Sequence, residues 1–470
     1  MEKVKVTFAG GARAVTGSNF LIDVPRASMG GESHHGHTFK NQGFIRILVD
    51  CGLPQGQEKD EHIWQPFIYD PKTVDYLLVT HAHLDHIGKI AFLINQGFSG
   101  RIISTKATRE ISRPAMEDAY NIMYSEAERQ GLEEPPYKME DVTVAFTLWK
   151  AVEYREVVHL AEGLSARFTN ASHVLGSAMI QIDNGAEKVL FTGDMGNNSL
   201  LLQEADIPSD SDYVFMECVY GNRKHEGLEH RSEMLEKVIL DNIHNKGTLV
   251  IPAFSIERTQ EVLSEINDLV ESRQMPVIPV YVDSPLSIEI THIFDHYKHL
   301  LRDTVQEKFA KGDNVFSFPG LHMSHTRDES MEINDIEGPK IVIAGSGMMQ
   351  GGRVMHHAKR YLDNPKNTIM MVGYQAHGTL GARLLNPATH EVQIGEAHIP
   401  VHAKILNLSG YSAHRDVDAL VDFVAHVKDH AKSINLILGD NESLEGFQQT
   451  LKEKFGIDAH IPDKGEVLEL

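Results

Sequence analysis

The stretch YLLVTHAHLDHIGKIAFLINQG, from Tyr76 to Gly97, decides how the rest of the chain is read. Its first residues, Tyr76 to Thr80, form a short apolar run of the kind found in buried parallel strands. His81, His83, Asp85 and His86 follow at once, and a helical pattern then runs to Gly97. Three imidazoles and a carboxylate therefore stand where a strand hands over to a helix. His81 and His83 are two apart, so in extended backbone they project the same way and can grip one zinc ion. Asp85 and His86, at the start of the helix, can reach a second ion. The plainer alternatives are a His-rich surface loop, or an Asp85 that only caps the helix.

Two later segments weigh against those alternatives. His173 in NASHVLGSA and Asp194 in LFTGDMG both end predicted strands beside small residues, where a side chain can enter a cleft. A carboxylate such as Asp194 can bridge two cations, and a zinc pair about 3.5–4 Å apart activates water and supports in-line displacement at phosphorus. Taken singly, each segment has an ordinary structural reading.

The rest of the chain organises around this centre. VKVTFAGG, SNFLIDV and FIRILVD alternate like antiparallel strands, separated by Gly-rich turns and a polar loop from Ala27 to Gly43. Helical patterns are predicted from Arg113 to Gly131 and from Met139 to Lys150. Beyond Glu217 the texture changes to helices near Arg231–Asn245 and Ile256–Ser272 alternating with TLVIPAF, VIPVYVD, KIVIAGSG and TIMMVGYQ. That alternation predicts a parallel, doubly wound sheet. From about His390 antiparallel-looking strands return, so the reading is one α/β domain inserted in another, with segments 1–217, 218–400 and 401–470.

Composition bounds the function. The 470 residues, at roughly 150 per domain, make about three domain units or two large ones. Lys+Arg 44 against Asp+Glu 66 gives a net charge of −22, so the bulk field repels nucleic acid and anionic membranes, and a polyanion must meet local donors. Two Cys exclude a disulfide framework or a thiolate zinc cluster, while 27 His permit imidazole chemistry. MEKVKVTFAGG lacks the continuous apolar core of a secretory signal, and no segment has the length of a membrane span. A reducing cytoplasm is the expected compartment, without membrane partners.

HAHLDH, the His173 and Asp194 segments, and Asp50 in LVDCG resemble the metal-binding motifs of the metallo-β-lactamase fold. MECVYGNR, IPAFSIERTQE, AGSGMMQGGR, GYQAHGTLGARLL and LSGYSAH resemble the β-CASP branch, nucleases related to the endonuclease of the cleavage and polyadenylation specificity factor. The resemblance implies an αββα metallo-β-lactamase sandwich with an inserted doubly wound α/β (β-CASP) domain. It further implies that His81, His83, His173 and Asp194 hold one zinc, and that Asp85, His86 and the shared Asp194 hold another. Asp50 matches a carboxylate that orients a ligand imidazole, a partner such ligands usually need. Glu217 matches the acidic motif opening the insert. His414 matches a His that contacts the scissile phosphate and protonates the leaving oxygen, and Glu217 could raise its pKa.

The chain departs from the pattern at one place. RNA-processing members carry a late His in a VHGE-like segment that ligates the second zinc, whereas this chain reads LILGDNES. Leu438 or Gly439 stands at the His position and Asp440 is the nearest substitute ligand. The options are a second metal held by fewer groups, Asp440 as a replacement, or a single-metal site. DNA-specific members also lack this His. His377 is a further unusual residue without an account.

Within the insert, Gly345, Ser346 and Gly347 follow a buried strand and precede a helix-like run containing Arg353, and Gly378 and Thr379 repeat the arrangement. Such loops can turn backbone N–H groups toward phosphates, although each alone also reads as a tight turn. The expected function is a zinc-dependent ribonuclease, endo- or 5′-exonucleolytic, acting on single-stranded RNA through metal-activated hydroxide. The competing readings are a DNA nuclease, an RNA-binding scaffold, and a small-molecule hydrolase. Relatives often form homodimers. His34, His35 and His37 read as a polar hairpin tip, and His292, His296 and His299 as a helix face without carboxylates to complete a metal site.

Overall fold

The computed structural model describes the chain apart from residues 1–2, 27–38, 42, 56–62, 132–134, 198, 226–229, 374 and 376–377. His34, His35, His37 and His377 lie outside the described residues. The chain forms two compact units: Met1–Ser199 with Glu204–Lys224 and Ala413–Leu470, and Leu200–Gln203 with His225–Ser412.

In the first unit, β1 (Lys5–Gly10), β2 (Asn19–Pro25), β3 (Phe44–Val49), β4 (Tyr76–Leu78), β5 (Arg101–Thr105) and β6 (Trp149–Val152) lie side by side in that order. The chain's last strand (Val467–Glu469) adds antiparallel to the outer edge of β1. The early strands pair antiparallel and β3 to β6 pair parallel. The second sheet runs from β7 (Val157–Ala161) through β8 (Leu164–Asn170), β9 (Ala178–Asp183) and β10 (Lys188–Phe191) to β11 (Tyr213–Glu217), with Ser433–Ile437 beyond it.

Alternation explains why the two sheets face each other. Val6 and Phe8 of β1, Phe20 and Ile22 of β2, and Ile47 of β3 point to one side and meet Phe168, Ile180, Phe191 and Phe215 from the second sheet. Phe8 and Phe20 stand 5.9 and 5.6 Å from Phe215 and Phe191, which stack on each other at 4.6 Å. The opposite face of the second sheet buries Leu190, Val214 and Met216 under Phe423 and Phe447, from the helices Val417–Val427 and Asn441–Phe455. Helices Lys106–Gln130 and Met139–Leu148 pack on the first sheet. The result is a helix–sheet–sheet–helix sandwich.

Met139–Leu148 is shorter than predicted, because Trp149 leaves the helix to open β6 and donates its indole N–H to Ser104 Oγ at 2.8 Å. The other predicted helix starts earlier, at Lys106, where the Thr105 hydroxyl caps it.

The second unit holds a six-stranded, all-parallel sheet of β12 (Thr248–Pro252), β13 (Val280–Val282), β14 (Leu321–Met323), β15 (Lys340–Ala344), β16 (Thr368–Met371) and a last strand described below. Its central strands are buried along their whole length, as strands covered by helices on both faces must be. The strand order, β14-β13-β15-β12-β16 and then the last strand, reverses direction of winding and is doubly wound. Glu391–Ile394 (β17) and Ala397–Pro400 (β18) form the expected antiparallel hairpin. Lys404–Asn407 (β19) instead pairs parallel with β16, so this unit extends to Ser412, past the boundary expected at 400. Back in the first unit, Ser433–Ile437 is β20 and Val467–Glu469 is β21. No described helix is long and apolar enough to cross a membrane.

Candidate metal centre

Every candidate ligand sits in the first unit, on loops and the short helix Leu84–Ile87 at one end of its two sheets. Asp50 follows β3, His81 follows β4, His173 follows β8, Asp194 follows β10 and Glu217 closes β11. His414 reaches the same end through backbone: Gly196 and His414 form a bridge, Asn197 N–H donates to Ala413 O at 2.9 Å, and Arg415 N–H donates to Met195 O at 3.0 Å.

His81, His83, His173 and Asp194 bring one donor atom each into a single cluster. His83 Nδ1 lies 3.1 Å from His81 Nε2 and 3.2 Å from His173 Nε2, while Asp194 Oδ2 lies 3.6 and 3.4 Å from those two Nε2 atoms. One lone pair or one proton on His83 Nδ1 cannot make two well-directed hydrogen bonds, whereas a cation between the three nitrogens would meet a lone pair from each. Tetrahedral zinc with Zn–N bonds of about 2.0–2.1 Å keeps its ligands about 3.3 Å apart, so the donor set fits that ion.

Asp85, His86 and Asp194 form a second cluster. His86 Nε2 is buried, makes no hydrogen bond, and lies 3.4 Å from Asp194 Oδ1 and 4.0 Å from Asp85 Oδ2. Asp194 thus offers one oxygen to each cluster, and a divalent cation fits here too.

Charge distribution follows from burial. Burial pushes His81 well below the ordinary imidazole range, which leaves it neutral and ready to ligate. Burial also disfavours charge on His86, but Asp194 and Asp50 overcome it and hold this His well above its ordinary value. Burial raises Asp85 to about 6, against the pull of His86.

Asp50 is 1% exposed and held at φ +58°. It accepts from His86 Nδ1 at 2.7 Å, Thr80 N–H at 2.8 Å and Ser18 Oγ at 3.0 Å. Fixing Nδ1 in this way turns Nε2 toward Asp194. Sequence reasoning missed Thr80 and Ser18. The Thr80 hydroxyl is 2.9 Å from Asp50 Oδ2 and 3.1 Å from His81 Nδ1, so it joins the orientation of two imidazoles. Its position directly before HAHLDH was an available signal, whereas Ser18 is 32 residues from Asp50 and gave none. Thr80→Val is expected to weaken zinc binding about tenfold or more while Thr80→Ser retains it, read by competition with a chromophoric chelator.

His414 Nδ1 lies 3.3 Å from Glu217 Oε1 and 4.0 Å from Asp194 Oδ2. Glu217 is fully buried and accepts from Met195 N–H at 2.7 Å and Val219 N–H at 3.3 Å, so its oxygens are committed to the loop and to His414. Burial opposes protonation of His414, yet Glu217 first, then Asp194 and Asp85, outweigh it and raise the pKa to about 9.

Asp440 does not join either cluster. Its Oδ1 caps the helix Asn441–Phe455 by accepting from Ser443 N–H at 2.7 Å, and Oδ2 lies 3.9 Å from Arg223. Leu438 is buried in the sandwich core.

In the second unit, Gly345–Gly347 follows β15 and Gly378–Thr379 precedes the helix Leu380–Leu385, which Thr379 Oγ1 caps. A Cβ at residue 347 would stand 2.6 Å from the Phe254 ring, so Gly347 is required by packing. Arg353 is committed within its own unit: Nη1 donates to Asp283 at 2.7 Å and Ser324 O at 2.9 Å, and Nη2 to His325 O at 3.0 Å. Asp283, fully buried, also accepts from Ser330 Oγ and His357 Nε2, both at 2.6 Å. Burial would raise its pKa, but these partners, His357 first, hold it below the ordinary 3.8. Its stabilising effect is therefore complete above that value and is lost as pH falls through the depressed one. Asp283→Ala strands the buried partners, with an expected cost of about 3 kcal/mol read as a lower urea midpoint.

The helix–sheet–sheet–helix sandwich with a His/Asp cluster at one sheet end defines a metal-dependent hydrolase. The chain matches the metallo-beta-lactamase superfamily over residues 41–214, the Beta-Casp domain over 259–384 and the Zn-dependent metallo-hydrolase RNA specificity domain over 398–462. It is 32% identical over 416 residues to Ribonuclease TTHA0252 of Thermus thermophilus, covering 88% of this chain and 89% of that one. It is 30% identical to an RNase J-like protein of Methanocaldococcus jannaschii (90% and 94% covered) and 28% to the transcription termination factor FttA of Methanosarcina mazei (99% and 72%). The crystal structure of a protein of unknown function from Enterococcus faecalis V583 shares the fold, with TM-score 0.54, 13% identity and both chains covered in full. The protein belongs to the β-CASP branch of the metallo-β-lactamase superfamily.

Proposed function

We propose that the protein is a zinc-dependent ribonuclease that hydrolyses phosphodiester bonds of single-stranded RNA. The observation that carries this reading is the convergence of four imidazoles and two carboxylates in two clusters sharing Asp194, in a chain that also matches an RNA specificity domain. His81, His83, His173 and Asp194 would hold one zinc, and Asp85, His86 and Asp194 a second. When bound, such cations act as Lewis acids toward a phosphoryl oxygen and lower the pKa of water.

The chain's own residues supply the rest. Asp50 and Thr80 orient His86 and His81. Glu217 engages His414 Nδ1 and keeps that imidazole protonated at neutral pH, so its Nε2 can give a proton to the departing 3′ oxygen and leave a 5′ phosphate on the product. Backbone N–H groups at Ser346, Gly347, Gly378 and Thr379 are proposed phosphate grips, supplying local donors that a chain of net charge −22 lacks in bulk. Zinc-loaded protein should cleave a labelled single-stranded RNA, lose activity on chelation and regain it with zinc. A preference for the matched DNA strand would overturn the choice of RNA.

A further inference from the structure

The two clusters are unequal. Among the described residues the first offers four donor atoms, three of them imidazole nitrogens, and the second offers three, one of them from the Asp194 carboxylate that the first already uses. Zinc held firmly by protein has four ligands, and each missing one is made up by water or substrate. The next chain segment at this end of the sheet adds nothing. Ile437 pairs with Glu217, and Cys218 N–H donates to Leu438 O at 3.2 Å, so Leu438 follows directly beside the site. Its side chain is alkyl, fully buried, and directed toward Gly11, where a Cβ would come within 2.8 Å of Leu438 Cδ2. Asp440, two residues on, spends Oδ1 on its helix and has Arg223 near Oδ2. The third cluster, Asp194 with Glu217 and His414, is no competitor, since Glu217 already accepts from two backbone N–H groups and His414.

We infer that the protein loads its zinc in two separate steps, the His81–His83–His173–Asp194 cluster first and the Asp85–His86–Asp194 cluster only at higher zinc. This rests on the metal-hydrolase reading above. The second position is left to be completed by a non-protein oxygen, which makes it the exchangeable one.

The test uses the full chain, stripped with a chelator, dialysed, and titrated with Zn²⁺ against a chromophoric competitor. The expected isotherm has one tight equivalent and a second weaker by at least about tenfold. Asp85→Asn should remove the second step and leave the first. Asp440→Asn, which keeps a helix cap, should leave both. Two equivalents binding in one indistinguishable step, or loss of the second step in Asp440→Asn, would overturn the inference while leaving a zinc hydrolase in place. Protein that takes up no zinc would instead remove the hydrolase reading itself.

Discussion

Asp194→Asn is expected to lower RNA hydrolysis by at least about 10³-fold, the scale of losing several kcal/mol of transition-state charge stabilisation. Asp194 is 4% exposed, and its two oxygens stand within 3.4–3.6 Å of nitrogens from His81, His86 and His173. Burial alone would raise its pKa, but His86 and then His81 and His414 hold it well below the ordinary value, so it is charged at any working pH. The amide keeps the shape and loses that charge, and both clusters lose the carboxylate they share. Zinc content should fall with activity while the circular dichroism spectrum stays that of the parent. Full activity with full zinc content would remove Asp194 from the centre.

The second large effect concerns proton delivery. His414→Ala should reduce kcat by about 10²–10⁴-fold with KM little changed, because in the proposed mechanism the group acts on the leaving oxygen and belongs to neither proposed zinc cluster. In that mechanism the active form is the imidazolium, so the rate should fall as pH rises through its pKa. The protein's own groups raise that pKa to about 9, with Glu217 the strongest raising influence. Nearby cations disfavour imidazolium, so the alkaline limb of the loaded enzyme lies below that value. Glu217→Gln removes the carboxylate charge, burial then dominates, and the limb should move down by about one to three units. A limb that stays in place would show that His414 titrates independently of Glu217, and a pH profile unaffected by His414→Ala would show that it is not the acid.

Much of this was legible in one dimension because the relevant physics is local. Strand alternation and the spacing within HAHLDH depend on the backbone geometry of a few consecutive residues, so the early antiparallel strands, the parallel sheet of the insert and the candidates His81, His83, Asp85 and His86 could be read from spacing, whereas the sandwich came from the family resemblance. His173, Asp194, Glu217 and His414 needed the family resemblance as well, because nothing in their own neighbourhoods distinguishes them from ordinary turns. Asp440 illustrates the limit: as a letter after a strand it was a plausible ligand, and only its hydrogen bond to Ser443 N–H shows that it serves a helix end.

By itself the sequence determined the periodicities, the donor types and their local spacing, which together specify sheets, helices and an imidazole-rich centre. Tertiary structure alone decided which distant groups meet. Ser18 reaches Asp50, Arg353 pairs with Asp283, and Lys404–Asn407 joins the parallel sheet. Those outcomes depend on burial and on satisfying polar groups across long sequence separations, costs that are defined only once the chain has packed.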